Sequence, residues 1–316
     1  AATFRASGDP GCSSPRVMTS PNAKPDSGRL GAGTFYALLA ATGFAAVSIL
    51  TAKATATGLT LATVLAWRYV LAAVILTLWV GTHRYTRIPP KEMLRFVTIG
   101  GFGQALLVYL ALSSLKFIPA ATLAFLFYTY PAWVALTQAV RGAEKLDARR
   151  ATALAFSFAG IGVMVGMPGA GAVDWRGVAL ALSAALIYGI YIPIMRVLQK
   201  DHPVAPPSAY SKVGASLAFL MLSVADQSFT WRLAPEVWMT IGALALFSTV
   251  LPSVFFLMGL IRLGPVRVAI VSTVEPFLTG LLAIVVLGQP LTWPTVVGGA
   301  LIGAVLMLQF RRERVA

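Results

Sequence analysis

Tyr130-Pro131-Ala132-Trp133 opens an apolar stretch that closes on Glu144-Lys145-Leu146, and Glu275-Pro276-Phe277-Leu278 opens another that closes on Gln289-Pro290-Leu291. Pro131 pairs with Pro276, Glu144 with Gln289 and Leu146 with Leu291, always 145 positions apart. Upstream, Ala37-Leu38-Leu39-Ala40-Ala41 returns as Ala181-Leu182-Ser183-Ala184-Ala185 at a spacing of 144, and Phe44 falls on Tyr188. The same register sets Arg68 opposite Lys212. A chain built from two related hydrophobic halves places a pathway between them, because transporter sites lie at repeat interfaces.

Composition decides the solvent. Of 316 residues, 58% are hydrophobic and only 11% charged, with a mean hydropathy of +0.79. Soluble domains do not reach these values, so the chain reads as an integral membrane protein. Ten apolar segments are expected, near 34–53, 60–80, 94–114, 119–140, 150–167, 176–197, 207–226, 237–261, 265–287 and 292–310. Each approaches the roughly 17–25 residues that cross a bilayer as a helix. A β-barrel requires alternating segments of about 10 residues, whereas these runs are longer and apolar all round. The connections leave no room for an extramembrane domain, so any chemistry lies inside the bundle or at its mouths.

The expected fold class is therefore an all-α integral membrane protein, with ten transmembrane helices in two inverted five-helix repeats. The first repeat covers 34–167 and the second 174–310, flanked by a disordered tail at 1–33 and a basic tail at 311–316. Inversion follows from arithmetic, since an odd number of spans per repeat turns the second copy upside down.

The formal net charge is +14, which raises the question of nucleic acid. The positions of the 25 basic residues answer it. With the N-terminus inside, 19 of them fall on the cytoplasmic side, including Arg84, Arg87, Lys91, Arg95, Arg141, Lys145, Arg149 and Arg150. Only Lys53, Lys116, Arg176 and Arg232 fall outside, while Arg68 and Lys212 lie within spans. This is the positive-inside bias, which places both termini in the cytoplasm of a cell, or inner, membrane. The basic balance needs no nucleic-acid partner, and no basic stripe with interleaved aromatics occurs on a soluble segment.

The Ser-, Pro- and Gly-rich tail lacks a long apolar run and is not a signal peptide; Met18 within it is the expected natural start. Cys12, the only cysteine, lies there and excludes an intrachain disulfide. His83 and His202 fall in loops, so neither a metal site nor a histidine proton relay is implied, and no cofactor is called for.

Charge inside the bilayer supplies the site candidates. Arg68 stands about nine residues into its span, roughly 13 Å from the nearer edge at about 1.5 Å per residue. A cation at such depth costs at least ~2.5–3.5 kcal/mol and should face water or a partner; snorkelling to the outer interface beside Trp67 and Tyr69 is the alternative. Lys212 is shallower, and snorkelling competes more strongly there. Glu275 lies near the centre of the ninth span, and Pro276 behind it frees a backbone carbonyl, so a carboxyl group meets exposed polar backbone. Its counterpart in the first half is Tyr130 before Pro131, so the acid is not duplicated.

Tyr109, Tyr128, Tyr130, Trp133, Tyr188 and Tyr191 fall near mid-span, away from the interfaces where such rings usually anchor helices. Together they suit a cavity for amphipathic solutes, although core packing is the commoner fate of any one of them. Gln104 and Gln138 offer amides to a ligand or to another helix. Gly162-x-x-x-Gly166 and Gly299-x-x-x-Gly303 permit close helix contact, within the monomer or in a homodimer.

Three groups of residues carry a family resemblance. Leu115-Lys116-Phe117-Ile118-Pro119-Ala120-Ala121, Tyr128-Thr129-Tyr130-Pro131 and Glu144-Lys145-Leu146 resemble the first repeat of the EamA family, in the drug/metabolite transporter superfamily. Leu263-Gly264-Pro265, Val274-Glu275-Pro276 and Leu287-Gly288-Gln289-Pro290-Leu291-Thr292 are similar to its second repeat, and Gly298-Gly299-Ala300-Leu301-Ile302-Gly303 to its closing helix. Gln289 departs from the family's usual Glu, at a membrane boundary where the change bears on loop structure more than on transport. The resemblance implies two inverted five-helix repeats, a central cavity and alternating access without ATP hydrolysis. It also implies a cargo among amino acids, metabolites, nucleotide sugars or toxic compounds, often moved by exchange or proton coupling.

The expected function is export of a small organic solute, an amino acid or related metabolite, across the membrane. Substrate contacts are expected from Glu275, Arg68, Tyr130, Tyr128, Tyr188, Tyr109, Gln104, Trp133, Tyr191 and Lys212. Glu275 is expected to be the pH-sensitive or cation-binding group and Arg68 an anion contact, which together suit a zwitterion. A membrane enzyme acting on lipid-linked substrates needs a constellation of acids, histidines or metal ligands at the interface, and none is visible. A sensor or scaffold needs neither a buried acid nor a repeat.

Overall fold

The structure is a computed structural model that describes residues 27–83, 85, 88–140, 174–199, 201–203, 205–272 and 274–311, with isolated positions between 152 and 163. All regular structure among the described residues is helical. Helices α1 (Ser27–Thr55) and α2 (Leu61–Thr82) are followed by α3 (Pro90–Arg95), which runs through a π-helical segment, Phe96–Phe102, into α4 (Gly103–Ser113). Next come α5 (Ala120–Phe127), α6 (Tyr130–Val140), α7 (Trp175–Gln199) and α8 (Ala205–Ala225). Helix α9 (Pro235–Ala245) continues through a second π segment, Leu246–Val250, into α10 (Leu251–Ser272), followed by α11 (Glu275–Leu287) and α12 (Trp293–Arg311).

Six of the described helices are long and apolar enough to cross a membrane: Gly31–Thr55, Leu61–Thr82, Pro90–Lys116, Trp175–Gln199, Ala205–Ala225 and Pro235–Phe256. Leu78, Val285 and Met239 are largely exposed on the outside of the bundle, as side chains facing acyl tails are. The segment expected to span 150–167 lies almost wholly outside the described residues, as do Gly162 and Gly166.

The structure departs from the sequence reading at two places. The fourth expected segment, 119–140, is two helices parted by a turn at Tyr128–Thr129. The helix expected to end near 261 instead continues to Ser272, and the break falls just before Glu275. Continuation through 261 is supported by Arg262, whose Nη1 donates to the Met258 carbonyl at 3.0 Å and whose guanidinium lies 4.8 Å from the Tyr36 ring centre. Both breaks therefore immediately precede the paired prolines, Pro131 and Pro276, so the repeated feature is a discontinuous helix. In lipid, such a break is tolerated only where its freed polar groups find partners inside the protein.

Packing between the halves is reciprocal. Helix α1 packs on α10 and α11, whereas α7, which opens the second half, packs on α4, α5 and α6. Helices α2 and α8 pack against each other, and each also meets the π segment of the other half. The repeated alanines form the seams: Ala37, Ala40 and Ala41 are buried in the first copy, and Ala181, Ala184 and Ala185 in the second. Small side chains let membrane helices approach closely when lipid supplies no hydrophobic drive between them.

The closest crossing joins α8 to the first π segment. A Cβ on Gly214 would fall on the Val97 carbonyl oxygen, and one on Gly101 would meet the Gly214 backbone. In the closing helix, a Cβ on Gly299 would lie 2.5 Å from the Phe125 ring, so that glycine serves packing within the chain.

At the end of α11, Gly288 takes φ 63°, and the Gln289 amide donates to the Ala283 carbonyl in a helix-ending turn that favours glycine. This turn delivers Gln289 Oε1 to the Ala120 N–H at 3.1 Å, capping the start of α5 in the opposite half. A Cβ at Gly214 would overpack the α8 crossing, which costs ~1–3 kcal/mol, so Gly214→Ala should lower the detergent-solubilised melting midpoint by several degrees. Gly242→Ala, which meets open space, should leave that midpoint unchanged or raise it slightly.

Candidate functional site

Arg68 does not snorkel. It is 5% exposed, and its Nε donates to Thr249 Oγ1 at 2.8 Å across the two halves. The second π segment prepares that acceptor: the Thr249 hydroxyl donates to the Leu244 carbonyl five residues back, leaving its lone pairs for the guanidinium. Arg68 Nη1 is buried without a hydrogen-bond partner among the described residues, as is Oγ of Ser248, the neighbour of Thr249.

Trp67, the neighbour of Arg68, ties α2 to the segment that precedes α9. Its Nε1 donates to the Thr230 carbonyl at 2.9 Å, and its ring stacks on Phe229 and meets Trp238 edge-on. At the same end of α2, Thr60 Oγ1 donates to Ser228 Oγ at 2.7 Å and Thr63 Oγ1 to the Ser228 carbonyl at 2.8 Å. This polar latch closes the bundle where α2 begins.

Lys212, the repeat counterpart of Arg68, is 8% exposed. The two cations share the Tyr69 ring: Arg68 Cζ is 5.2 Å and Lys212 Nζ 5.6 Å from its centre. Both distances suit attraction to the ring face, which is strongest where water is excluded. Among the described residues no carboxylate forms an ion pair with either cation. The one ion pair there joins His202 Nε2 to Glu92 Oε2 at 2.6 Å, near the start of α3.

Lys212 lines a cavity of about 170 Å³ with Gln104, Tyr191, Ser208, Ser211 and Ser253. The cavity reaches toward Leu76, Trp79, Met195, Gln199 and Ala205, at the ends of α2 and α7 and the start of α8. It therefore lies toward the end of the bundle opposite the polar latch. Tyr191 Oη donates to the Gly100 carbonyl of the first π segment at 2.9 Å, which fixes the ring in the cavity wall. Helix α7 contains Pro193, which cannot donate to the Gly189 carbonyl, and Thr137 Oγ1 approaches that oxygen at 3.5 Å.

Glu275 belongs to a second cluster. The break in the helix places it in the first turn of α11, half-buried, where Tyr128 Oη donates to its Oε2 at 2.7 Å. The Ser272 carbonyl, last in α10, is 3.0 Å from the same phenol. A row of rings leads away from this point: Tyr128 to Tyr130 at 5.8 Å, Tyr130 to Tyr188 at 4.8 Å, and Tyr188 to Tyr191 at 6.3 Å. The row ends at the cavity.

Of the residues singled out from sequence, Lys212, Gln104 and Tyr191 line the cavity, whereas Arg68 lies outside the lining and shares the Tyr69 ring with Lys212. Tyr128, Tyr130 and Tyr188 connect Glu275 to it. Tyr109 packs against the main core cluster, and Trp133 sits against Gly189. No hydrogen bond or ion pair joins Glu275 to Arg68 or Lys212 among the described residues. The side chain of Gln138 lies outside the described residues, as does Glu144.

The sequence reading missed Thr249, Ser208, Ser211 and Ser253, and gave Tyr69 only an interfacial role. Hydroxyls inside apolar runs, above all Ser248-Thr249 with Ser253 one turn on, are the signal that marks them.

With this geometry in place, the comparison with known sequences is decisive. The EamA-like transporter family matches residues 31–166 and 175–311. The chain belongs to the EamA-like transporter family. Two EamA units account for the 144–145 spacing, and the boundary between them falls just ahead of α7. EamA proteins are transporters rather than enzymes, and the apolar helices agree with a multi-pass membrane protein. A solved crystal structure superposes with a TM-score of 0.63 at 17% identity, covering 90% of this chain and 99% of its own, a likeness of fold alone. Among curated proteins none matches.

Leaving a buried charged donor unpaired costs ~1–3 kcal/mol or more, so Thr249→Val should lower the melting midpoint clearly while Thr249→Ser retains it.

Proposed function

We propose that this EamA protein is a secondary transporter that exports a small organic solute, an amino acid or related metabolite, by alternating access. In this reading ten spans form two inverted five-helix repeats in the cell membrane, with both termini cytoplasmic, and proton coupling or exchange drives the cycle. The observation that carries it is the pairing of a closed latch at one end of α2 with a polar cavity toward the other end. The positive-inside bias makes the cavity end cytoplasmic, as export requires of a loading state. The cavity volume of about 170 Å³ lies below the ~300–1,000 Å³ typical of drug-sized pockets, which favours a small metabolite over a bulky toxic compound.

The two helix breaks supply the polar apparatus. Discontinuous helices at matching places in two repeats are how transporters bring backbone groups and helix ends to the midplane. Glu275 at the second break is the titratable group of the cycle, and the Tyr128 bond lets it report its charge state across the repeat interface. The tyrosine row gives the solute an amphipathic wall between this acid and the cavity.

Purified protein in liposomes should accumulate or exchange a radiolabelled amino acid from a screened panel, at a rate that varies with pH. Glu275→Gln should abolish the flux or remove its pH dependence. A variant with wild-type rate and wild-type pH profile removes Glu275 from the mechanism.

A further inference from the structure

Resting on the transport reading and deepening it, we infer that Arg68 and Lys212 form an anion subsite, so that the solute carries a carboxylate or similarly compact anionic group. A buried cation is normally paired or converted to its neutral form, and neither solution is available for a guanidinium without an acid beside it. Thr249 satisfies one nitrogen of Arg68, and Nη1 keeps a donor with no acceptor among the described residues. Lys212 adds a second positive charge on the same tyrosine ring and faces the cavity. Two like charges gathered on one ring repel one another, and a chain selected only for stability has apolar residues of similar shape at its disposal. An anion entering the cavity meets Lys212 directly and relieves this repulsion, while Arg68, behind the lining, adds its field through the shared Tyr69 ring.

The lining matches such a ligand. Ser211 and Gln104 stand beside Lys212 with Ser208, Ser253 Oγ already donates to the Thr249 carbonyl at 2.6 Å, and among the described residues no Asp or Glu lines the cavity to compete with an incoming carboxylate. Ser211 Oγ is 3.4 Å from the Phe96 carbonyl, a long contact that a better acceptor can displace. Glu275, which would repel an anion, is held apart on Tyr128 at the far end of the tyrosine row.

The test reads the charge of the cavity and needs no known substrate. Cys12 is replaced by Ser, which leaves Ser208→Cys in the cavity wall as the one thiol. Purified protein in phosphatidylcholine vesicles is then treated with sulfonatoethyl methanethiosulfonate, an anion, or with its trimethylammonium analogue, a cation. Each rate is normalised to that of 2-mercaptoethanol. Focusing by buried cations raises local anion concentration by 10-fold or more, so the anionic reagent should react at least ~10-fold faster than the cationic one. Lys212→Gln should cut that preference by about threefold or more and Arg68→Gln should reduce it further, while Lys212→Arg restores it.

Equal normalised rates, no reaction with either reagent, or a preference that Lys212→Gln leaves intact would overturn the subsite. Anion-selective labelling in a protein that moves nothing in liposomes refutes transport and leaves the subsite standing; flux without anion preference does the reverse.

Discussion

A positive charge in hydrocarbon has to be answered from within the protein, and most of the inner architecture follows from how Arg68 and Lys212 are accommodated. The Tyr69 ring takes one side of both, and Thr249 takes one nitrogen of Arg68. Thr249 is presented correctly because the second π segment shifts the helix by one residue and directs its hydroxyl hydrogen to Leu244. The matching segment in the first half lies against α8, the helix that carries Lys212, and the two backbones meet there through glycine. Irregular helix and buried charge thus occur together in each half.

The second polar cluster follows the same logic with the opposite sign. Glu275 lies where one helix stops and another starts, and its hydrogen bond comes from Tyr128, at the corresponding stop in the other half. Each interruption is completed by a group from the other repeat. The ring row from Tyr128 to Tyr191 then joins the acid to the cavity without bringing it beside the cations, which keeps two fields of opposite sign distinct within one hollow.

Much of this was legible from the residues. Composition and the 145-residue spacing led to a repeated membrane bundle, and a Glu before a Pro inside an apolar run has few readings other than a polar break. The depth of Arg68 identified it as a charge needing a partner. The partner itself was hidden, because Thr249 stands 181 positions away and its hydroxyl does not reveal in the sequence which charge it answers. The extent of α10 was hidden as well, since periodicity does not mark where one buried helix gives way to the next. Gln289 looked like a change confined to a loop, and its bond to the Ala120 N–H shows it acting on the opposite half instead.

That last bond has a bearing on how the chain is made. Translation delivers the first half to the membrane well before the second exists, and three of its polar groups then wait for late-synthesised residues. Arg68 waits for Thr249, Tyr128 for Glu275, and the Ala120 N–H for Gln289. The newborn first half is consequently an unfinished object whose charges and bare amides must be sheltered by water, by the insertion machinery or by looser packing until its twin arrives.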